Sequence, residues 1–351
     1  MARAFGTFLG RKVQKKSMLN PNLKLNPKIF DNNVEQKATR TGYGEGLVEL
    51  GEKNPNVVVL TADLSESTQT EAFEKKFPER FFECGVAEQN MAAIAAGLGI
   101  SGKIPFISSY ATFSPGKNWE TIRTTIVYNQ SNVKIAGHHS GIVTGPDGAT
   151  HQATEDIASV RAWPGITIFV ACDAIEAKKA TIKAAEIDGP VYLRFTRDKT
   201  PVITTSETPF DVGKIQTFWE SDPSTGSGYQ AVIFATGYIL YNALLAAKEL
   251  DTEGIEVLVA NVATIKPLDE KTVVELAEKT GAVVTAEDHQ VMGGLGGAIA
   301  EVLAKNKPTP MEFIGLQNTF AESGTPKELM EKYKMDAPAI VEAVRKVIAR
   351  K

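Results

Sequence analysis

The sequence predicts an α/β protein of two domains, each a mostly parallel sheet with helices on both faces. Three observations predict it. From residue 38 onward, apolar runs of strand length alternate with stretches of helical period. Those runs are nearly continuous in β-branched residues, as strands covered on both faces must be. Residues 200–229 then break the rhythm with Pro201, Pro209, Pro223 and the loop SDPSTGSG, after which a second, shorter series begins. The expected division is an N-terminal extension over 1–37, a first domain over 38–205, a linker over 206–229 and a second domain over 230–351.

Taken in order, the opening MARAFGTFLGRKVQKK is basic and free of acids, yet its apolar stretch is too short for a secretory signal. The extension is expected to be flexible and to carry no catalytic residue. Strands are then predicted at VVVLTAD (57–63), FFECG (81–85), IPFISSY (104–110), VKIAGHH (133–139), TIFVAC (167–172) and VYLRFT (191–196). Helical stretches separate them: QTEAFEKKF, EQNMAAIAAGL, NWETIRTTIVYN, TEDIASVRAW and AIEAKKATIKAAEI. In the second series the strands are AVIFATG (231–237), IEVLVAN (255–261), GAVVTAED (281–288) and MEFIGLQ (311–317), each followed by a helical stretch.

Composition narrows the function. Among 351 residues, 43% are hydrophobic and 23% charged, the balance of a soluble globular protein. A net charge of -4 gives no sign of a nucleic-acid partner. No apolar run approaches the roughly 20 residues that cross a bilayer, so no membrane partner is expected. Cys84 and Cys172 cannot form a disulfide framework and are expected to be buried, reduced thiols of a cytoplasmic protein.

In open parallel sheets, ligands bind outside the carboxyl ends of the strands. The residues to weigh there are Asp63, Glu88, Tyr110, His138, His139 and Arg197, then Glu287, Asp288 and His289. Glu88 opens a helix that stays uncharged through Ile100. It is either an ordinary first-turn acid favoured by the helix dipole, or a carboxylate in apolar surroundings able to share a proton with a ring nitrogen. Three of the four histidines fall within HHSGIVTGPDGATHQATED, residues 138–156, beside Asp147. A metal site is disfavoured, because His138 and His139 point to opposite sides of a strand and no paired-His or Cys spacing is present. The better reading is a polar strand-end loop holding neutral imidazoles against a hydroxylated substrate. The plainer alternative is a structural turn shaped by Gly145 and Gly148. The glycines of MGGLGGAIAE (292–301) form no dinucleotide fingerprint and are expected to serve close helix–strand packing.

At Glu88 and the His151 loop the sequence resembles a known family, the transketolases. GVAEQNMAAIAAGLGISG is similar to the family's segment in which a glutamate precedes a helix of small residues. GPDGATHQATEDIASVRA resembles its Gly-x-Asp-Gly-x-Thr-His-Gln segment, YATFSP (110–115) its aromatic segment, and DLSEST its loop before the glutamate. The later VTAEDHQVMGGLGG and ESGTPKELMEKY match in outline, so the resemblance covers all but the first 37 residues. The family's cofactor diphosphate and metal are held by Gly-Asp-Gly with an Asn about 25–30 residues later. The sequence contains no Gly-Asp-Gly; its nearest string is Pro146-Asp147-Gly148.

The resemblance implies the C-terminal subunit of a split-gene transketolase, a pyrimidine-binding domain followed by a transketolase C-terminal domain. It implies thiamine diphosphate as cofactor, with Mg²⁺ (or Ca²⁺) held by a partner, the N-terminal subunit carrying the diphosphate-binding domain. Two copies of each chain would form a heterotetramer. The implied reaction moves a two-carbon ketol unit from a ketose phosphate to an aldose phosphate, as in the pentose phosphate pathway. By resemblance, Glu88 hydrogen-bonds the aminopyrimidine, and Phe113 and Tyr110 pack on its ring. His151, with Glu88, is the implied catalytic pair, and Asp147 joins His151 on the donor's hydroxyls. His139, Arg40, Ser67 and Arg197 match positions near the sugar phosphate, where guanidinium pairs bidentately.

Two departures stand out. After YATF the chain has Ser114-Pro115-Gly116-Lys117 where the family usually continues apolar or aromatic. The family's single histidine is matched to His139 by counting back from His151, with His138 as the fallback. Three alternatives share parts of the pattern: the pyrimidine-binding subunit of a 2-oxoacid dehydrogenase, a deoxyxylulose-phosphate-synthase-like enzyme, and a non-catalytic assembly subunit.

Overall fold

The computed structural model of the chain describes residues 19–221 and 228–351. The first domain is built on strands β1 (Gln36–Ala38), β2 (Val57–Thr61), β3 (Phe81–Glu83), β4 (Ile104–Tyr110), β5 (Lys134–His138), β6 (Thr167–Val170), β7 (Val191–Arg194) and β8 (Lys199–Pro201). The rest of the chain adds β9 (Gln216–Glu220), β10 (Ala231–Thr236), β11 (Val257–Asn261), β12 (Thr264–Lys266), β13 (Val283–Gln290) and β14 (Met311–Leu316). The main sheets run β12-β6-β7-β5-β4-β2-β3 and β14-β13-β10-β11-β9. Every pairing in them is parallel except at one edge of each, where β12 meets β6 and β9 meets β11 antiparallel. All ten predicted strands are present, and the α/β reading holds.

Both faces of the larger sheet are covered because its strands are apolar on both sides. Helix α1 (Thr39–Lys53) was not anticipated. Its glycines weaken helix propensity, yet Gly42 lets the helix lie against the helix that Ala174 opens, so that a Cβ there would stand 1.8 Å from the Ala174 carbonyl. Helix α2 spans Glu71–Lys76, α3 Glu88–Ile100, α4 Trp119–Thr121, α5 Asp156–Arg161 and α6 Ala174–Glu186. The second domain carries α7 (Leu240–Thr252), α8 (Glu270–Thr280), α9 (Leu295–Asn306), α10 (Pro326–Lys332) and α11 (Ala337–Ile348). Asp173, Asp269, Thr325 and Asp336 cap α6, α8, α10 and α11 through their side chains. Among the described residues, no helix is long and apolar enough to cross a membrane.

Three expectations need correction. Residues 19–37 are not a loose extension: Ile29 is buried, Leu19 bridges Trp219, and the Asn20 and Asn26 amides donate to Phe218 and Ile203 carbonyls. The segment straps both domains, because its apolar side chains share their core; residues 1–18 lie outside the described residues. The expected linker contains β9, which completes the second sheet's edge. Cys172 is buried, but Cys84 is only half-buried, because it lies just past the short edge strand β3.

The two domains share their interior. One core cluster joins Ile142, Val143 and Cys172 to Ile233, Leu250 and Val344, and another joins Leu60 and Ile107 to Val232 and Leu258. Across this junction β12, from the second half of the chain, extends the first domain's sheet.

Candidate active site

At the carboxyl end of β5 the chain presents two adjacent histidines to opposite sides. His138 turns inward between Tyr43 and Phe195, with ring centroids 4.9 and 5.2 Å away. Neither of its nitrogens has a hydrogen-bond partner, and burial holds its pKa well below the ordinary range. His138 is therefore a neutral core ring, whereas His139, itself buried, turns to Tyr110 on the other side. At His139 the backbone enters the left-handed region, φ 53°, uncommon for a residue with a Cβ and typical of constrained sites.

On that side, His139 stacks on Tyr110 at 3.9 Å. Tyr110 stacks on Phe113 at 5.9 Å, and Phe113 meets the edge of His151 at 5.5 Å. Four predicted residues, from two segments of the first domain, thus form one aromatic wall. Burial, followed by the charges of Arg40 and Arg197, brings His139 down to about 3, so its imidazole is neutral at physiological pH. His151 is half-buried, and its Nδ1 lies 2.9 Å from the Thr150 hydroxyl.

Arg40 and Arg197 converge beside this wall. Arg40 donates to the Ser67 carbonyl at 2.7 Å, so it is the backbone of Ser67 that the arginine engages. Burial, and then repulsion from Arg197, lowers the Arg40 pKa. Arg197 donates to the Thr144 carbonyl at 3.0 Å and lies 3.5 Å from the Asp147 carboxylate. Both guanidiniums line a cleft of about 700 Å³, with Gln69, Thr144 and Lys199 around it. Two arginines lining one open cleft suit an anion such as a phosphate.

Glu88 stands on the first turn of α3 and is buried. Its surroundings are not wholly apolar, as the uncharged helix had suggested. Lys117, half in solvent, reaches in and donates to Oε2 at 2.8 Å. Asn118 clamps the same corner, donating to the Glu88 carbonyl at 3.0 Å and the Ser114 hydroxyl at 3.2 Å. The departure from the family's apolar stretch thus supplies the cation that pairs with the carboxylate. The sequence signal for this pairing is a lysine where the resembled segment is apolar or aromatic.

Other features resolve plainly. Among the described residues, no group of three His, Cys, Asp or Glu side chains is placed to hold a metal ion. The glycine-rich turn before α9 already holds an internal carboxyl group: Glu287 accepts from the Leu295 and Gly296 amides at 2.7 and 2.8 Å, and burial raises its pKa to about 7. A Cβ at Gly294 would lie 1.9 Å from that carboxyl group, so the glycines admit Glu287 rather than a nucleotide.

Comparison with known proteins agrees with these features. The family described as "Transketolase, pyrimidine binding domain" matches residues 35–202, and "Transketolase, C-terminal domain" matches 225–340. A putative transketolase C-terminal section from Methanocaldococcus jannaschii is 44% identical over 88% of this chain and 95% of its own length. The 6-deoxy-6-sulfo-D-fructose transketolase subunit SqwH from Clostridium sp. is 38% identical over 92% of this chain and 98% of its own. Human transketolase is 34% identical over 89% of this chain, which spans 49% of that longer protein. A solved structure of a split-gene transketolase, an inactive beta4 tetramer, superposes with a TM-score of 0.82 at 46% identity, covering 89% of this chain and 99% of that one.

Proposed function

The chain belongs to the transketolase family, and on that premise we propose that it is the pyrimidine-binding, C-terminal subunit of a split transketolase, active together with a diphosphate-binding polypeptide. When bound, thiamine diphosphate supplies the nucleophile that breaks and re-forms the carbon–carbon bond beside a ketose carbonyl. The residues present fit one end of that cofactor. Glu88 offers a buried carboxylate for a protonatable ring nitrogen, and Phe113 with Tyr110 offers aromatic faces for a heterocycle. They do not fit the other end, because the sequence lacks the Gly-Asp-Gly that would ligate Mg²⁺ (or Ca²⁺). We assign metal and diphosphate to the partner.

Helix α3 supports that partner. Its outer face exposes Gln89, Asn90, Ala93, Ile94, Gly97 and Ile100, without a single charge, and Val86 just before it is 69% exposed. An uncharged face of this kind beside a buried acid is what a subunit contact requires. We further propose two copies of each chain in the assembly and a cytoplasmic setting.

In this reading Glu88 holds a proton shared with the cofactor ring, while Lys117 keeps the carboxylate aimed. His151 and Asp147 take hydroxyls of the donor sugar. Arg40, Arg197, Ser67 and neutral His139 receive the phosphate, so the transferred unit passes from a ketose phosphate to an aldose phosphate, as pentose phosphate metabolism demands. The observation that carries the proposal is Glu88, buried at a helix entrance with its carboxylate held by Lys117. Reconstitution with a Gly-Asp-Gly-bearing polypeptide tests it. Xylulose 5-phosphate and ribose 5-phosphate should be interconverted to the expected ketose and aldose phosphates, and Glu88→Ala should abolish turnover while the assembly still elutes as one complex. Full activity in that variant would defeat the assignment.

A further inference from the structure

The turn that follows His139 and lines the cleft with Val143 and Thr144 is held from outside its own domain. Asp288, buried at the end of β13, accepts the Ile142 amide at 2.9 Å across 146 positions of sequence. Its carboxylate lies against Gly141, where a Cβ would come within 1.9 Å of Oδ2. The turn so held makes both contacts that matter at the cleft. The Thr144 hydroxyl donates to the His139 carbonyl at 2.6 Å, and the Thr144 carbonyl accepts from Arg197 at 3.0 Å.

Further contacts seat the rest of the loop on the second domain. Arg194 donates to the Ala153 carbonyl at 3.2 Å and to the Asp288 carbonyl at 2.8 Å. The Gln290 amide donates to the Thr154 carbonyl at 2.7 Å, and Gln152 donates to the Glu322 carbonyl at 3.2 Å.

We propose that Asp288 is a positioning residue for phosphate recognition, setting the 141–144 turn so that Arg197 and His139 face the substrate's anion. The second domain thereby takes part in substrate selection without touching substrate. The physical basis is a carboxylate that partners a buried amide where no water competes, so the turn has one low-energy placement. An asparagine keeps an acceptor but loses the charge assistance; an alanine leaves the Ile142 amide unpaired and a void beside Gly141. A shift of about 1 Å at Arg197 is enough to weaken a bidentate contact severely.

This inference rests on the reading of Arg197 and His139 as the phosphate site, and the test separates the two. In the reconstituted complex, the ratio of KM for ribose 5-phosphate to KM for glycolaldehyde is measured for wild type, Asp288→Asn, Asp288→Ala, Gly141→Ala and Arg197→Ala. The expected result is a ratio raised about tenfold or more in Asp288→Ala, less in Asp288→Asn, with kcat for either acceptor changing in step. Gly141→Ala, which pushes the carboxylate away from the other side, should reproduce the effect. If Asp288→Ala does not fold, Asp288→Asn and Gly141→Ala carry the comparison. A ratio raised by Arg197→Ala but untouched in the folded Asp288 and Gly141 variants overturns this inference alone. A ratio untouched by Arg197→Ala overturns the phosphate reading and this inference with it.

Discussion

His138 and His139 show how one step along the chain separates structure from function. His138, the last residue of β5, enters the core, while His139, just past the strand in left-handed backbone, turns to Tyr110 instead. The His139 ring is kept neutral by burial and by two neighbouring guanidiniums. That has a consequence for stability. The folded-state pKa of His139 is about 3 against an ordinary 6.5, so between those values the unfolded chain binds more protons than the folded one. Stability from this site is present above pH 6.5 and is lost as pH falls toward 3. His139→Gln should therefore lose less stability between pH 7 and pH 4 than wild type, as measured by urea denaturation at the two pH values. An equal loss would show that the ring titrates normally.

At the scale of elements, legibility followed the local pattern. The parallel strands were readable because they are continuous β-branched runs, and α3 and α6 because they are helix formers bounded by turns. Helix α1 was not readable. Gly42, Gly44, Gly46 and Gly51 depress its propensity, and what stabilises it is close contact with α6 and the α2 region. Gly42→Ala, a favourable change in an isolated helix, should here cost about 2 kcal/mol or more, because its methyl would meet a backbone carbonyl that cannot rotate away. Chemical denaturation of the variant measures this, and a neutral or stabilising outcome would mean that the helices separate easily. Strands β9 and β12 escaped notice for another reason: they are short edge strands whose pairing partners are distant in sequence.

At the scale of the molecule, two domains in sequence behave as one body in space. Shared apolar clusters, the strap of residues 19–37, and β12 on the edge of the first sheet leave no clean surface at which to divide them. The buried Asp156–Arg194 pair, at 2.8 Å, leans on His289 and Asp288 from the other side of the junction. A fragment ending at residue 205 would expose an open sheet edge, leave that charged network half paired and uncover buried aliphatic residues. It should fail to give a cooperative thermal transition, whereas the whole chain should melt in one. A sharp melt for the fragment, followed by circular dichroism, would show that the first domain stands alone.

The chain's local pattern alone determined its α/β class, ten of its strands and the strand-end candidates Glu88, Tyr110 and the histidine cluster, because periodicity is a property of neighbouring residues; Phe113 and the choice of His139 over His138 came from the resemblance to a known family. Only the tertiary structure decided that His138 is a core ring, that Lys117 pairs with Glu88, and that Asp288 holds the turn beneath His139. Lys117 and Glu88 are 29 positions apart and Asp288 and Ile142 are 146 apart, and no local pattern records which distant groups a buried carboxylate will meet. Burial settles that choice, since a polar group withdrawn from water must find its partner wherever the fold brings one within reach.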